Sequence, residues 1–177
     1  MGGGTRGECT ARVLAHLVPA SSVFAAGSSG LIGVLEGPSA NPRPVAISIR
    51  QVNAAGSSDA ARRLTAQREL PASSAGVTLL TIPLKAASVW ESSYRCESGP
   101  GDPDDPLNMV TAVAPPAVSL LLITDVTPAD AALQGKLTGL RALCGKTVAR
   151  EQLATAFDLG DVITADWPAQ LPVRCPG

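Results

Sequence analysis

Apolar positions along the chain come in short runs of four to eight, separated by Gly, Pro and Ser. That rhythm predicts mostly strands. Residues 11–18 are apolar but fit two helical turns as well as a short strand, and Pro19 ends them. The runs 23–26 and 31–36 flank Gly27-Ser28-Ser29-Gly30, the pattern of a β-hairpin. Three prolines between residues 37 and 44 predict a loop. Residues 45–52 alternate, with Val45, Ile47 and Ile49 on one face and Ser48 and Arg50 on the other, as a strand with one buried face does. A helix is expected next. Ser57 or Ser58 caps it, Asp59 lies in its first turn, Ala60, Ala61 and Leu64 face inward, and Leu70-Pro71 ends it. Strands follow over 77–84, 87–96, 108–114 and 117–125, with an exposed loop over 98–106. The run Val118, Leu120, Leu121, Leu122 and Ile123 reads as a strand covered on both faces.

The clearest helical signal starts at Thr127, a cap followed by Pro128 at the first helical position and by Asp130 in capping-box position. Leu133, Leu137, Leu140 and Cys144 repeat at helical spacing, and Gly145 stops the run. A shorter helix over 148–157 places Leu153 and Phe157 inward. Residues 162–164 form a short strand pattern, and 168–177 read as a Pro-rich tail. The expected organisation is a flexible 1–8, one globular α/β (α+β) domain over 9–167, and the tail. Its core is one mostly antiparallel sheet of about five to seven strands with two or three helices.

The stretch 117–143, a buried aliphatic strand ending in Asp and followed by a Leu-striped helix, resembles the last strand and helix of roadblock/longin-type (profilin-like) domains. The Gly-containing segment 23–36 resembles their first hairpin. The resemblance implies a single-sheet interaction module. The strand at 45–52 and the four cysteines depart from it.

Charge narrows the function classes. Lys and Arg total 14 against 15 Asp and Glu, a net charge of −1 over 177 residues, which argues against nucleic acid as a partner. No apolar run approaches the roughly 18 residues of a membrane-spanning helix. Hydrophobic residues make up 45%, too many for a disordered chain. The opening Met-Gly invites an acylation reading, but Arg6 stands where that pattern wants Ser or Thr. No secretory h-region is visible and no Asn-x-Ser/Thr sequon occurs, so a cytoplasmic protein with reduced thiols is expected. A secreted or periplasmic home is the alternative if a leader has been removed.

Candidate chemistry is sparse. Cys9, Cys96, Cys144 and Cys175 contain no C-x-x-C pair and allow two disulfides in three connectivities. Cys9 and Cys175 lie near the termini, which often meet in space. Gly145-Lys146-Thr147 carries the end of a phosphate-binding loop, but the required Gly is Leu140 and the preceding residues read as helix. Gly145 is therefore read as a helix stop and Thr147 as the next cap. Gly27, Gly30 and Gly33 miss the dinucleotide fingerprint and read as turn and bulge. No G-x-S-x-G is present, and the single His16 cannot build a multi-His metal site. A Cys–His16 pair is formally open; a packed histidine is the plainer reading. Asp102, Asp104 and Asp105 cluster, but Pro103 and Pro106 stiffen them into a solvated loop. Arg62, Arg63 and Arg68 form either a solvated face or an interface. Trp90 and Tyr94 share one side of a strand and, with Trp167, stand out among only five aromatic residues. They are interface candidates if that side is exposed and core residues otherwise.

These residues include no convergent catalytic set and call for no cofactor and no metal. The expected function is a non-catalytic protein–protein interaction domain, a subunit or assembly factor of a larger complex, with a protein partner or a second copy. A disulfide-stabilised extracytoplasmic binding domain is the second reading, and a small Cys/His enzyme the third.

Overall fold

The computed structural model describes residues 12–52, 63–96 and 116–176. Among the described residues the chain is a mixed α+β protein with two five-stranded sheets and two helices. The first sheet runs β1 (Leu14–His16), β3 (Leu31–Glu36), β6 (Gly76–Thr81), β10 (Gln170–Arg174), β9 (Thr147–Ala149). The second runs β2 (Val23–Ala25), β8 (Ala117–Leu122), β7 (Ser88–Tyr94), β4 (Val45–Gln51), β5 (Arg63–Leu70). Most neighbours are antiparallel; β10 on β6 and β2 on β8 are parallel.

Register decides which residues meet. His16, Val34, Thr78 and Arg174 align in one row across the first sheet. Ile49, Trp90 and Ser119 align across the second. The ring of His16 lies on that of Trp90, so these two faces form the interior of a sandwich. Gly33 is one residue out of register with Val34 and therefore faces the other way. A Cβ there would meet the Leu137 and Leu17 side chains, so helix α1 (Pro128–Arg141) covers the outer face of the first sheet. Leu133, Leu137 and Leu140 are its buried stripe, as their spacing predicts. The Thr127–Asp130 capping box forms as read, with Pro128 in the first turn. Helix α2 (Arg150–Ala156) buries Leu153.

Several expectations are corrected. The strands do not form one sheet, so the single-sheet architecture implied by the roadblock resemblance is not the one observed. The runs at 23–26 and 31–36 are strands but not a hairpin: β2 pairs with β8, β3 with β1 and β6. The Gly27–Gly30 turn carries the chain from one sheet to the other. Gly27 and Gly30 have φ of 67° and 59°, and a Cβ on Gly30 would collide with the Ile82 carbonyl. The helix expected around Leu64 is strand β5, because Val45–Gln51 offers it a full antiparallel partner and that pairing outweighs a weak local helix preference. Its proposed cap and first turn, residues 57–61, lie outside the described residues, as do the expected loop at 98–106 and strand at 108–114.

The Pro-rich tail is strand β10, held between β6 and β9. Leu171 and Val173 are 0% and 1% exposed, an alternation that the flanking prolines mask. Residues 162–164 form turns, not a strand. Thr147 opens β9 and does not cap α2, whose cap position is Ala149. Strand β8 is covered on one face only, with Val118 48% exposed.

Candidate functional site

Three groupings of polar side chains stand out. The first surrounds His16. Its Nδ1 lies 2.8 Å from Ser119 Oγ and its Nε2 2.8 Å from Ser92 Oγ. In a neutral ring one nitrogen donates and the other accepts, and the two hydroxyls supply the complementary roles. The ring stacks on Trp90 at 3.4 Å and 8°. Burial pushes the imidazole down to about 3, so it is neutral at physiological pH. Ser92 and Ser119 are buried too. A histidine and a serine at hydrogen-bond distance have the form of a nucleophile and base. Here both ring nitrogens face hydroxyls, with no described carboxylate bonded to the ring, and Ser92 and Ser119 are 0% and 3% exposed. The arrangement satisfies polar groups inside a sandwich and reads as an internal latch between β1, β7 and β8.

The second grouping lies at the end of β3. Arg12 Nε donates to the Gly37 carbonyl at 2.8 Å, and its Nη2 donates to the Ser73 carbonyl at 2.6 Å. Its Nη1 stands 3.4 Å from Glu36 Oε1. The guanidinium lies over the Tyr94 ring at 4.8 Å, and the Tyr94 hydroxyl donates to the Val13 carbonyl at 2.9 Å. Ser73 Oγ donates to Glu36 Oε2. Glu36 is fully buried; burial raises its carboxyl, and Arg12, Ser73 and Arg174 offset only part of that. Burial likewise lowers the Arg174 guanidinium and raises the Tyr94 phenol. Arg174 Nη2 donates to the carbonyl and the hydroxyl of Ser74. The cluster ties β1, β3, β7, β10 and the segment before β6 together at one end of the sandwich.

The third is a surface cleft of about 320 Å³ lined by Leu31, Leu79, Thr81, Arg68, Arg141 and the Cys175–Pro176 end of β10. Cys175 is bonded to Cys144, with Cα atoms 5.6 Å apart, which clamps the turn after α1 onto β10. This overrides the proximity of Cys9 and Cys175 in the sequence reading, and with it the expectation of reduced thiols. Cys96 is disulfide-bonded as well, and no described cysteine is free. Cys9 lies outside the described residues.

Of the interface candidates, Trp90 is 0% and Tyr94 7% exposed, so both belong to the core and neither presents a surface. Their strand faces the first sheet, which the alternation alone does not reveal. Arg62 lies outside the described residues, and Arg63 opens β5. The helix ends at Arg141 with Ala142 as its cap, so Gly145, at φ 78°, is not the expected helix stop but lies in the turn that follows. Gly145-Lys146-Thr147 leads from that turn into β9, the reverse of the strand-to-helix order of a phosphate loop. Asp102, Asp104 and Asp105 lie outside the described residues. Among the described residues no three His, Cys, Asp or Glu side chains gather as metal ligands. No described helix is long and apolar enough to cross a membrane.

Sequence reading missed Glu36 and its arginines. The available signal was Glu36 in phase with Ile32 and Val34 on a buried strand face. Arg12 and Arg174 carry no such signal, since only the fold brings them to Glu36. Comparison with family models, curated proteins and solved structures finds no match to this chain.

Proposed function

We propose that the chain is a non-catalytic, disulfide-stabilised binding domain that works with a protein partner in an oxidising compartment, secreted or periplasmic. The observation that carries this reading is that Cys96, Cys144 and Cys175 are all held in disulfides. Cysteines persist as structural disulfides where the surroundings are oxidising. The same bonding removes each of these thiols as a nucleophile, and His16 is enclosed between Ser92 and Ser119. Both facts weigh against a Cys/His enzyme. Strand β5 supports a partner-binding role. It hydrogen-bonds to β4 on one side, its other side faces no described strand, and it exposes Leu64. An edge of this kind accepts an added strand from a partner.

The test is thiol counting under denaturant, together with native mass spectrometry, on the chain purified from its own host. Zero free thiols and a bound partner protein are expected. Four free thiols would overturn the compartment, and a bare monomer across fractions would overturn the partner.

A further inference from the structure

We infer that the cleft where β10 ends is a binding site for a small organic carboxylate with a short aliphatic body. Two arginines from different layers of the fold converge on it. Arg68 comes from β5 in the second sheet, and Arg141 is the last residue of α1, on the outer face of the first. The ion pairs among the described residues are Arg12–Glu36, Arg95–Glu69 and Arg150–Glu151. Arg68 and Arg141 therefore line the same cleft without a described carboxylate. Two like charges at one cleft repel each other, and an anion between them reverses that cost. A carboxylate suits the flat fork of a guanidinium better than any neutral acceptor does.

The rest of the lining supplies the second half of the ligand. Leu31 and Leu79 are 7% and 2% exposed and present an apolar wall, and Thr81 adds a hydroxyl at the rim. A volume of about 320 Å³ sits at the lower end of the range for ligand pockets and limits the body to a short chain. The Cys144–Cys175 bond lies three residues beyond Arg141 and forms part of the wall, so the arginine is carried on a clamped turn. This site goes beyond the partner-binding reading and does not depend on it: β5 edge pairing and occupancy of the cleft fail separately.

The experiment is titration of the oxidised full chain with hexanoate, followed by heteronuclear NMR, with hexanol and acetate as matched probes. Hexanol keeps the body without the charge, and acetate keeps the charge without the body. Hexanoate is expected to bind with Kd of about 1 mM and to shift Leu31, Leu79 and Thr81. Hexanol and acetate should each bind about tenfold more weakly. Arg68→Gln and Arg141→Gln should each weaken hexanoate about tenfold with Tm unchanged, since both side chains are exposed. Absence of hexanoate binding up to about 50 mM overturns the site. So does equal binding of hexanol, or hexanoate affinity that neither arginine variant changes.

Discussion

Acid should unfold this protein through His16, and the size of the effect follows from the latch. An unfolded chain binds a proton at His16 near its ordinary value of 6.5, while the native ring binds one only near 3. Between those values the unfolded state holds a proton that the native state lacks, so stability falls as pH falls. Each pH unit in that window costs about 1.4 kcal/mol. At pH 5 the loss is about 2 kcal/mol, and it saturates near 5 kcal/mol at pH 3, against a total stability of about 5–15 kcal/mol. Glu36 acts with the opposite sign. Burial raises its carboxyl, so the native state takes up that proton before the unfolded chain does, and acidification through that window favours the fold. His16 is the only histidine, so one imidazole carbon–proton signal reports it without ambiguity. That signal is expected to stay flat from pH 8 to about 4. Urea midpoints over the same range, followed by the fluorescence of buried Trp90 and Trp167, should fall more steeply in the native sequence than in His16→Gln. An imidazole midpoint near 6.5 would refute the reasoning, because the ring would then be solvated and not enclosed between Ser92 and Ser119.

Three further outcomes are expected. Gly30→Ala places a Cβ against the Ile82 carbonyl at a φ of 59°, and should cost about 3 kcal/mol or more in urea unfolding. Asp130 accepts from Ala25 N and from the Thr127 backbone and hydroxyl. Burial raises its carboxyl, but these bonds outweigh burial and hold it below the usual range, so its stabilisation is present at neutral pH and lost as pH falls through that lowered value. Asp130→Asn should therefore lower stability by about 1–3 kcal/mol at pH 7 and by less at pH 3, measured by the same assay. Cys175→Ser opens a loop spanning 31 residues and should cost roughly 3–4 kcal/mol by chain entropy; an unchanged Tm would show that the clamp contributes nothing.

How much was legible varies from element to element. The start of helix α1 could be read to the residue, because its cap, first-turn proline and leucine stripe are local signals that agree with one another, but its end at Arg141 falls short of the expected Cys144 and Gly145. Strand β4 was equally plain, since one-sided burial writes itself as alternation. Strand β5 was not, because Arg63–Leu70 carries no strong period and takes its form from pairing with β4. Strand β10 hid among prolines for the same reason: its place is set by β6 and β9, both distant in the chain. The candidate site was less legible than the fold. Arg68 was singled out within a run of arginines, but nothing local links it to Arg141 or to the leucine wall.

What the sequence determined by itself is therefore the local vocabulary: one capped helix, a set of short strands, a shortage of aromatics, a single histidine and four cysteines. Those features depend on residues a few positions apart, where backbone preference and side-chain period act directly. Only the tertiary structure decided that the strands divide into two sheets, that Cys144 bonds Cys175, that Trp90 and Tyr94 turn inward, and that two arginines share a cleft. Each of those outcomes rests on contacts between segments far apart in sequence. Which segments meet is set by competition for buried area and hydrogen-bond partners across the whole chain, and no local pattern records its result.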